Sequence, residues 1–363
     1  MRHRFHAICP YFAMFPEAFV AAQLEATPFS GVVFDPFCGR GTTVFESLLR
    51  GRDAAGCDVH PVAACVAGAK ADPPSQQDVS TRLSELEEES AGFDAPRMHG
   101  AIAEFFELCF HPRTYAPIAF MREHLDWRRD KTDRFIAALA LGSLHGESHR
   151  TPNCFSNRMP RTISTKPRYS VSWWRKNGLT PPRRDVFRIL RYMTEYRYES
   201  RPPLRRGSVQ LADAREAGER FSNLGGVVTD IITSPPYLDT TNYREDQWLR
   251  LWFLGGEPTD RLPANDGRHY SADKYKNFLV EAWAGVAPLL AAEAIIVVRM
   301  GGRRLTKEAA RTTLFESLRD GLSRSVSLVD DGASSRVRRT QANAFRGDKP
   351  SDTMEHDFRF EVA

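Results

Sequence analysis

The sequence lacks the features that mark several broad classes of protein. No apolar run in its 363 residues is long enough to span a bilayer. The chain also starts without a sustained apolar stretch before Pro10, which argues against a secretory signal. Its six cysteines form no Cys-x-x-Cys pair, so neither a zinc site nor a disulfide framework is indicated. These absences predict a cytoplasmic protein with free thiols and no bound metal.

Two common nucleotide-binding signatures are missing as well. Gly39 and Gly41 follow a predicted strand, as glycines do in phosphate-binding loops. The Gly-Lys-Ser/Thr ending of the P-loop does not follow them, nor does the three-glycine spacing of dinucleotide sites. A Gly-x-Gly pair alone is typical of a tight structural turn and identifies no ligand.

The charge is unevenly distributed along the chain, although the net value is only +4. From Ser148 to Arg206, 15 Lys and Arg residues stand against three acids, so this segment carries +12 and the remainder −8. A concentrated basic segment attracts polyanions, of which nucleic acid is the usual one. A solvated, arginine-rich surface is the alternative. The aromatic residues among these charges could stack on bases or belong to a core: Tyr169, Trp173, Trp174, Tyr192, Tyr196 and Tyr198.

Hydrophobic patterning predicts an α/β protein. Residues 31–35 and 53–58 have the pattern of short buried strands ending in an acid, and predicted helices at 42–49 and 61–70 follow them. This order is the opening of a doubly wound, mostly parallel sheet. Further strands are predicted at 208–211, 227–233, 294–298, 325–330 and 356–362, with helices at 275–290 and 307–323.

The strand–helix alternation is interrupted between residues 73 and 207. This segment is predicted to be largely helical, with helices at 78–92, within 100–126, at 132–145 and at 185–198, and with an irregular stretch at 151–184. We therefore expect a first part of the sheet domain at 1–72, an inserted helical and basic module at 73–207, and a second part of the sheet domain at 208–363. Insertions of this kind usually carry substrate selection.

A second motif, Ser234-Pro235-Pro236-Tyr237, follows the predicted strand at 227–233. Two prolines fix φ and remove two donors, which makes a rigid turn at the carboxyl end of a strand, where open α/β sheets bind ligands. Carbonyls, a hydroxyl and an aromatic ring suit a flat, amide-like ligand. A rigid loop that merely connects a strand to a helix is equally compatible with the turn taken alone.

Taken together, the two motifs resemble those of the DNA amino-methyltransferase family, whose members transfer a methyl group from S-adenosylmethionine to cytosine N4 or adenine N6. Residues 34–43 resemble its cofactor motif, and Thr-Ser-Pro-Pro-Tyr at 233–237 resembles its catalytic motif. Residues 9–20 resemble the segment that packs over the methionine part of the cofactor. Matching segments lie within 9–72 and 208–302. The resemblance implies a Rossmann-like methyltransferase fold, double-stranded DNA as substrate and the insertion as DNA-recognition module. It leaves open whether a cognate restriction endonuclease accompanies the protein.

The resemblance also implies roles for individual positions. Asp58 would hold the ribose hydroxyls of S-adenosylmethionine, Asp213 would approach its adenine amino group, and the loop after Phe34 would line its methionine end. The cofactor-binding residues so implied are Phe15, Pro16, Asp35, Pro36, Phe37, Gly39, Gly41, Thr42, Thr43, Asp58 and Asp213. For Asp213 and Phe15, a solvated turn acid and an ordinary core ring are the alternatives.

The implied catalytic residues are Ser234, Pro235, Pro236 and Tyr237. The Ser234 hydroxyl and the Pro235 carbonyl would accept hydrogen bonds from the exocyclic amine of a flipped-out base, on which Tyr237 would stack. Serine at the first position of this motif goes mostly with cytosine N4, and aspartate mostly with adenine N6. Adenine-N6 methylation of DNA, methylation of RNA and a catalytically silent DNA-binding protein are the alternatives.

Contacts to DNA are predicted in the basic part of the insertion. The residues assigned to this role are Arg158, Arg161, Arg168, Arg175, Lys176, Arg183 and Arg184. Residues 238–248, which follow the catalytic turn, could fold over a flipped base or form an ordinary loop. Residues 336–339 form a further basic patch, on phosphates or in solvent.

Overall fold

The computed structural model describes residues 2–10, 16–146, 153–159, 166–238, 247–257, 271–302, 305–336 and 354–363. The chain forms two compact units. The helical unit comprises Met1–Pro10, Pro73–Pro202 and Asn242–Pro263, and the sheet unit comprises Tyr11–Asp72, Pro203–Thr241 and Ala264–Ala363. The helical unit thus takes in two short segments outside the insertion predicted at 73–207.

The sheet unit is built on eight strands among its described residues. They are β1 (Val32–Asp35), β2 (Ala54–Asp58), β3 (Ser208–Leu211), β4 (Val228–Thr233), β5 (Leu290–Gly302), β6 (Val326–Asp330), β7 (Ser334–Arg336) and β8 (Met354–Val362). Their spatial order is β3-β2-β1-β4-β5-β8-β6, and β7 also pairs with β8. Strands β1 to β5 pair in parallel, whereas β8 is antiparallel to β5, β6 and β7.

The α-helices of the described residues are numbered in chain order through both units. They are α1 (Glu17–Ala26), α2 (Thr42–Leu49), α3 (Pro61–Ala71), α4 (Gln76–Glu89), α5 (Ala103–Cys109), α6 (Pro112–His124), α7 (Lys131–Ser143), α8 (Pro167–Lys176), α9 (Val186–Tyr198), α10 (Ala217–Arg220), α11 (Trp248–Phe253), α12 (Ala272–Val286) and α13 (Lys307–Leu322). Within the part of the chain that is described, no helix is long and apolar enough to cross a membrane.

Helices cover both faces of the sheet because its buried strands are apolar on both sides. Val33 and Ile232 point into one core with residues of α1, α2 and α3. Phe34 and Ile231 point into the opposite core with residues of α10, α12 and α13. This alternation is the two-residue period of a strand buried between two layers. The predicted fold class is confirmed as an α/β protein with a doubly wound, mostly parallel, Rossmann-like sheet and a largely helical insertion.

The helical unit has a core of large aromatic side chains. The ring of Phe105 lies 5.4 Å from that of Trp174 and 4.9 Å from that of Trp248, between ring centroids. Phe106 packs at 4.7 Å on Trp252 in the same way. Trp248 and Trp252 belong to α11, so this short helix completes the aromatic core of the unit.

One sequence prediction in the insertion is wrong. The stretch 151–184 was expected to be irregular because it is rich in proline, serine and arginine, but residues 167–176 form α8. Pro167 occupies the first turn of this helix, where its missing N–H costs nothing. Ser170 and Trp174 are four residues apart and buried, so they anchor one face of the helix.

An ion pair on the sheet unit joins the turn before β2 to β4, and the same arginine also holds the residue before β1. Nη2 of Arg52 donates to Asp230 Oδ2 at 2.6 Å and to the Gly31 carbonyl at 2.6 Å. Only 2% of the Asp230 side chain is exposed. Removing the arginine would therefore leave a buried carboxylate without its cation. Loss of one partner of a buried ion pair strongly lowers the free energy of unfolding, because the other charge stays buried.

We expect Arg52→Met to lower the free energy of unfolding by about 3 kcal/mol, measured by urea denaturation. Arg220→Met is the matched control, since Arg220 and Glu216 form an ion pair with both side chains about half exposed. That loss should stay below about 1 kcal/mol. Equal losses in the two variants would show that burial of Asp230 does not set the cost.

Candidate active site

The loop between β1 and α2 depends on two glycines with positive φ. Gly39 has φ +50° and Gly41 has φ +71°. A Cβ at position 41 would lie 2.7 Å from the Cβ of Ala67 on α3, so close packing of loop and helix also requires glycine there. A Cβ at position 39 would have no atom within 4 Å. The loop therefore packs firmly on its Gly41 side and borders open space at Gly39.

Asp35 ends β1 and is buried beneath this loop. Its Oδ1 accepts a hydrogen bond from the Thr233 hydroxyl at 2.6 Å and one from the Phe37 N–H at 3.1 Å. Burial raises the pKa of Asp35 from an ordinary 3.8 to about 7, against the lowering effect of these hydrogen bonds. The carboxyl group is thus held away from water, where its charged form is disfavoured, and a cation close to it would favour the charged form.

Asp58 ends the neighbouring strand β2 and orders two backbone turns. Its Oδ2 accepts from the Gly39 N–H at 2.9 Å, and its Oδ1 accepts from the His60 N–H at 2.8 Å. Burial raises the pKa of Asp58 to about 6, while these two hydrogen bonds lower it. Each carboxylate oxygen has a second lone pair, so both can still accept a hydrogen bond from a neighbouring diol.

Two threonine hydroxyls connect β4 to the residues on either side of the loop after β1. Thr43, in the first turn of α2, donates to the Ile232 carbonyl at 2.8 Å. Thr233, the last residue of β4, donates to Asp35. Because the strand order reverses between β1 and β4, the carboxyl ends of these strands form the crevice where α/β sheets bind ligands. The two motifs predicted from sequence therefore meet in one site.

The Ser-Pro-Pro-Tyr turn leaves β4 at this crevice. The Ser234 hydroxyl donates to the Tyr237 hydroxyl at 3.4 Å, and the Tyr237 hydroxyl donates to Glu355 Oε1 on β8 at 2.9 Å. A Cβ on Gly301 of β5 would lie 2.8 Å from Cε2 of Tyr237, so the tyrosine ring rests against the backbone of that strand. Burial, and then the charge of Glu355, raise the pKa of Tyr237 well above its ordinary value.

Asp213 follows β3 and caps the next turn. Its Oδ1 accepts from the N–H of Arg215, and the Arg215 guanidinium donates to both of its oxygens at 3.0 and 2.7 Å. The contact of Asp213 with an adenine amino group remains a prediction. In such a contact, Arg215 would hold the carboxylate of Asp213 in place.

The remaining predicted cofactor residues lie around the same loop. Pro16 precedes α1, and Thr42 is buried at the start of α2. Pro36 accepts a hydrogen bond from the Cys57 thiol through its carbonyl. The ring of Phe37 packs on Trp283 of α12 at 6.4 Å between centroids, so this side chain belongs in part to the core. Phe15 lies outside the described residues.

Sequence reasoning assigned no role to three residues of the site: Thr233, which it placed only within the catalytic motif, Lys70 and Glu355. Lys70 is buried on α3 and its Nζ donates to the Gly41 carbonyl at 3.3 Å. A lone lysine in an otherwise apolar, alanine-rich helix was the available signal. Glu355 carries no comparable signal, because its position next to Tyr237 depends on the pairing of β8 with β5.

Within the helical unit, the predicted DNA-contacting residues differ in their surroundings. Arg158, Arg168, Lys176 and Arg183 are exposed. Arg175 is exposed and forms an ion pair with the half-buried Glu104. Arg184 is half-buried, Arg161 lies outside the described residues, and so does most of the loop 238–248.

Several other cations of the basic segment have structural roles. The Arg197 side chain is buried and donates to the carbonyls of Arg4 and Ala7, and burial lowers its pKa to about 10. Arg191 pairs with Glu87, and Arg205 pairs with Asp53 on the sheet unit. The charge available to a polyanion is therefore smaller than the +12 counted from sequence.

No protein-family model matches the chain, and no curated protein matches it. Two solved structures of the rRNA methyltransferase aviRa from Streptomyces viridochromogenes are similar to it. One is 13% identical with a TM-score of 0.37, over 99% of this chain and 94% of that chain. The other is 14% identical with a TM-score of 0.35, over 97% and 89%.

The raised pKa of Asp35 predicts a pH dependence of stability. A carboxyl that binds its proton more tightly when folded favours the folded state at low pH, and that advantage is lost as pH rises from 3.8 to about 7. Asp35→Asn removes this titration. The unfolding free energy of the variant should therefore rise relative to wild type between pH 4 and 7 and then level off. Chemical denaturation at a series of pH values measures the difference, and a difference that is flat with pH would contradict the prediction.

Proposed function

We propose that the protein transfers a methyl group from S-adenosylmethionine to the exocyclic N4 amine of cytosine in DNA. The observation that carries the proposal is the pair of threonine hydrogen bonds that join the two flanks of the loop after β1, Asp35 and Thr43, to the end of β4, from which the Ser-Pro-Pro-Tyr turn leaves. A cofactor loop and a turn built for an amine are thereby held in one crevice.

The residues of this crevice fit S-adenosylmethionine. Asp35 is a buried carboxyl with a raised pKa, which the cationic amino group of the methionine part would return to its ionised form. Asp58 retains acceptor capacity for the ribose diol. The open space beside Gly39 admits a ligand close to the backbone. When bound, the cofactor supplies a methyl group activated by its positively charged sulfur.

The turn suits an amine whose lone pair is delocalised into a ring. Such an amine becomes nucleophilic when its N–H bonds are held by acceptors that favour a tetrahedral nitrogen. Ser234 donates its own proton to Tyr237, so the lone pairs of its oxygen can accept from the amine. The Pro235 carbonyl is the second acceptor in this proposal. The base reaches the turn by leaving the helical stack.

The choice of cytosine depends on one residue. Serine opens the catalytic turn, and in the family that this chain resembles serine goes mostly with cytosine N4. The choice of DNA depends on that same resemblance and on the basic helix α8. Arg168, Tyr169, Arg175 and Lys176 fall on one exposed face of α8, opposite its buried residues Ser170 and Trp174.

Purified protein is expected to transfer label from S-adenosylmethionine to duplex DNA, and chromatography of the digested DNA should identify N4-methylcytosine. Ser234→Ala combined with Tyr237→Ala should abolish transfer but leave cofactor affinity, measured by calorimetry, within about twofold. Ser222→Ala, on an exposed turn of the sheet unit, is the control and should keep full activity.

Each other product would change the assignment in a defined way. Label only in N6-methyladenine would overturn the choice of base, and label only in RNA would overturn the choice of polymer. If the double variant lost cofactor binding along with activity, the turn would not be the place where the amine is held.

Arg168→Gln combined with Lys176→Gln is expected to weaken DNA binding at least tenfold and to reduce the slope of log K against log salt by about 2, since each lost phosphate contact removes about one unit. Fluorescence anisotropy across a salt series measures both. Arg113→Gln with Arg129→Gln removes the same charge from exposed positions of the helical unit and is the control. Identical slopes in the two double variants would assign α8 to the solvated surface.

A further inference from the structure

The catalytic turn is connected to β8 by a chain of hydroxyl groups. Ser234 donates to Tyr237 at 3.4 Å, and Tyr237 donates to Glu355 at 2.9 Å. Both donors point in the same direction, from the crevice towards the carboxylate. A chain of this kind orients each hydroxyl proton and provides a path along which a proton can move.

Glu355 is available as an acceptor because a second acid balances the nearest cation. Arg299 on β5 donates to both oxygens of Asp357 at 2.6 and 2.8 Å. Its Nη1 stands 3.7 Å from Glu355 Oε2, which is a looser contact. The guanidinium of Arg299 thus pairs mainly with Asp357, and Glu355 makes its shorter contact with the Tyr237 hydroxyl. Ser335 of β7 lies opposite Glu355 in the sheet register.

Methyl transfer to an amine requires such an acceptor. The base nitrogen forms a bond to the methyl carbon as the bond from carbon to sulfur breaks, and the electron pair of that bond stays on sulfur. The nitrogen is then positively charged and strongly acidic, and it must lose one proton. Nothing in the turn itself can hold that proton, because a serine or tyrosine hydroxyl can accept one only by passing on its own.

We propose that Glu355 is the positioning residue of the catalytic turn and the final acceptor of this proton. This inference rests on the proposed function. The nitrogen gives its proton to Ser234, Ser234 gives its own to Tyr237, and Tyr237 gives its own to the Glu355 carboxylate. Both hydroxyls end neutral, the methylated amine ends neutral, and Glu355 ends protonated until it releases the proton to solvent.

The hydrogen-bond chain can be tested without cofactor or DNA. Glu355→Gln should lower the pKa of Tyr237, measured by NMR of tyrosine labelled at Cζ and assigned with Tyr237→Phe, because a neutral side chain no longer opposes the phenolate. Glu361→Gln removes the same charge from an exposed position on the same strand and should leave that pKa unchanged. Equal pKa values of Tyr237 in wild type and Glu355→Gln would overturn the proposal.

The proton transfer is tested by kinetics. Glu355→Gln should lower kcat about 100-fold, as expected for the loss of a proton acceptor, with KM for both substrates changed less than about threefold. Tyr237→Phe should lower kcat similarly, and the double variant should be no slower than either single one. Glu355→Asp should recover part of the rate.

A wild-type kcat in Glu355→Gln would overturn the relay, and so would losses that multiply in the double variant. Failure of the proposed function has a different signature: the wild-type protein would methylate no DNA cytosine, while the titration of Tyr237 would still report on the hydrogen-bond chain. Circular dichroism and urea denaturation of each variant separate a loss of rate from a loss of folding.

Discussion

The hydrogen bond from the Thr233 hydroxyl to the buried Asp35 carboxyl is the contact on which the candidate site depends. It joins the ends of two adjacent parallel strands at the point where the strand order reverses, and Thr43 adds a second tie to the same strand. With both ties made, the glycine loop and the Ser-Pro-Pro-Tyr turn cannot separate without exposing Asp35 or leaving a buried hydroxyl without its acceptor. The geometry of the crevice is therefore set by the sheet rather than by the loops that line it.

This arrangement places two carboxyl groups in a dry environment. Burial raises the pKa of Asp35 to about 7 and that of Asp58 to about 6, so each charge is held at a cost to stability. Sites that bind charged ligands commonly carry such a cost, because the ligand recovers it on binding. The buried pair of Arg52 and Asp230, by contrast, neutralises its own charges and serves the fold.

Some cationic side chains of the helical unit make contacts within the protein, and others are exposed on its surface. Arg197 ties carbonyls of the amino-terminal segment and Arg191 pairs with an acid, whereas α8 carries its basic residues on one exposed face above a buried tryptophan. A count of charges along the chain does not show which cations are exposed, because exposure depends on which side of each helix packs on the core. The exposed face of α8 is one part of the basic segment that stays exposed to solvent, together with Arg158, Arg183 and Arg188.

The sequence by itself determined the doubly wound fold, the bounds of most strands and helices, and the presence of the two motifs. Hydrophobic periodicity, helix capping and turn preferences each depend on a few neighbouring residues, so they can be recognised in a single sequence. Helix α8 was missed because its proline-rich composition concealed a helix start at Pro167. Only the tertiary structure decided that Thr233 meets Asp35 and that Tyr237 meets Glu355, 198 and 118 residues apart in sequence. Such contacts arise from strand order and register, which no local pattern encodes.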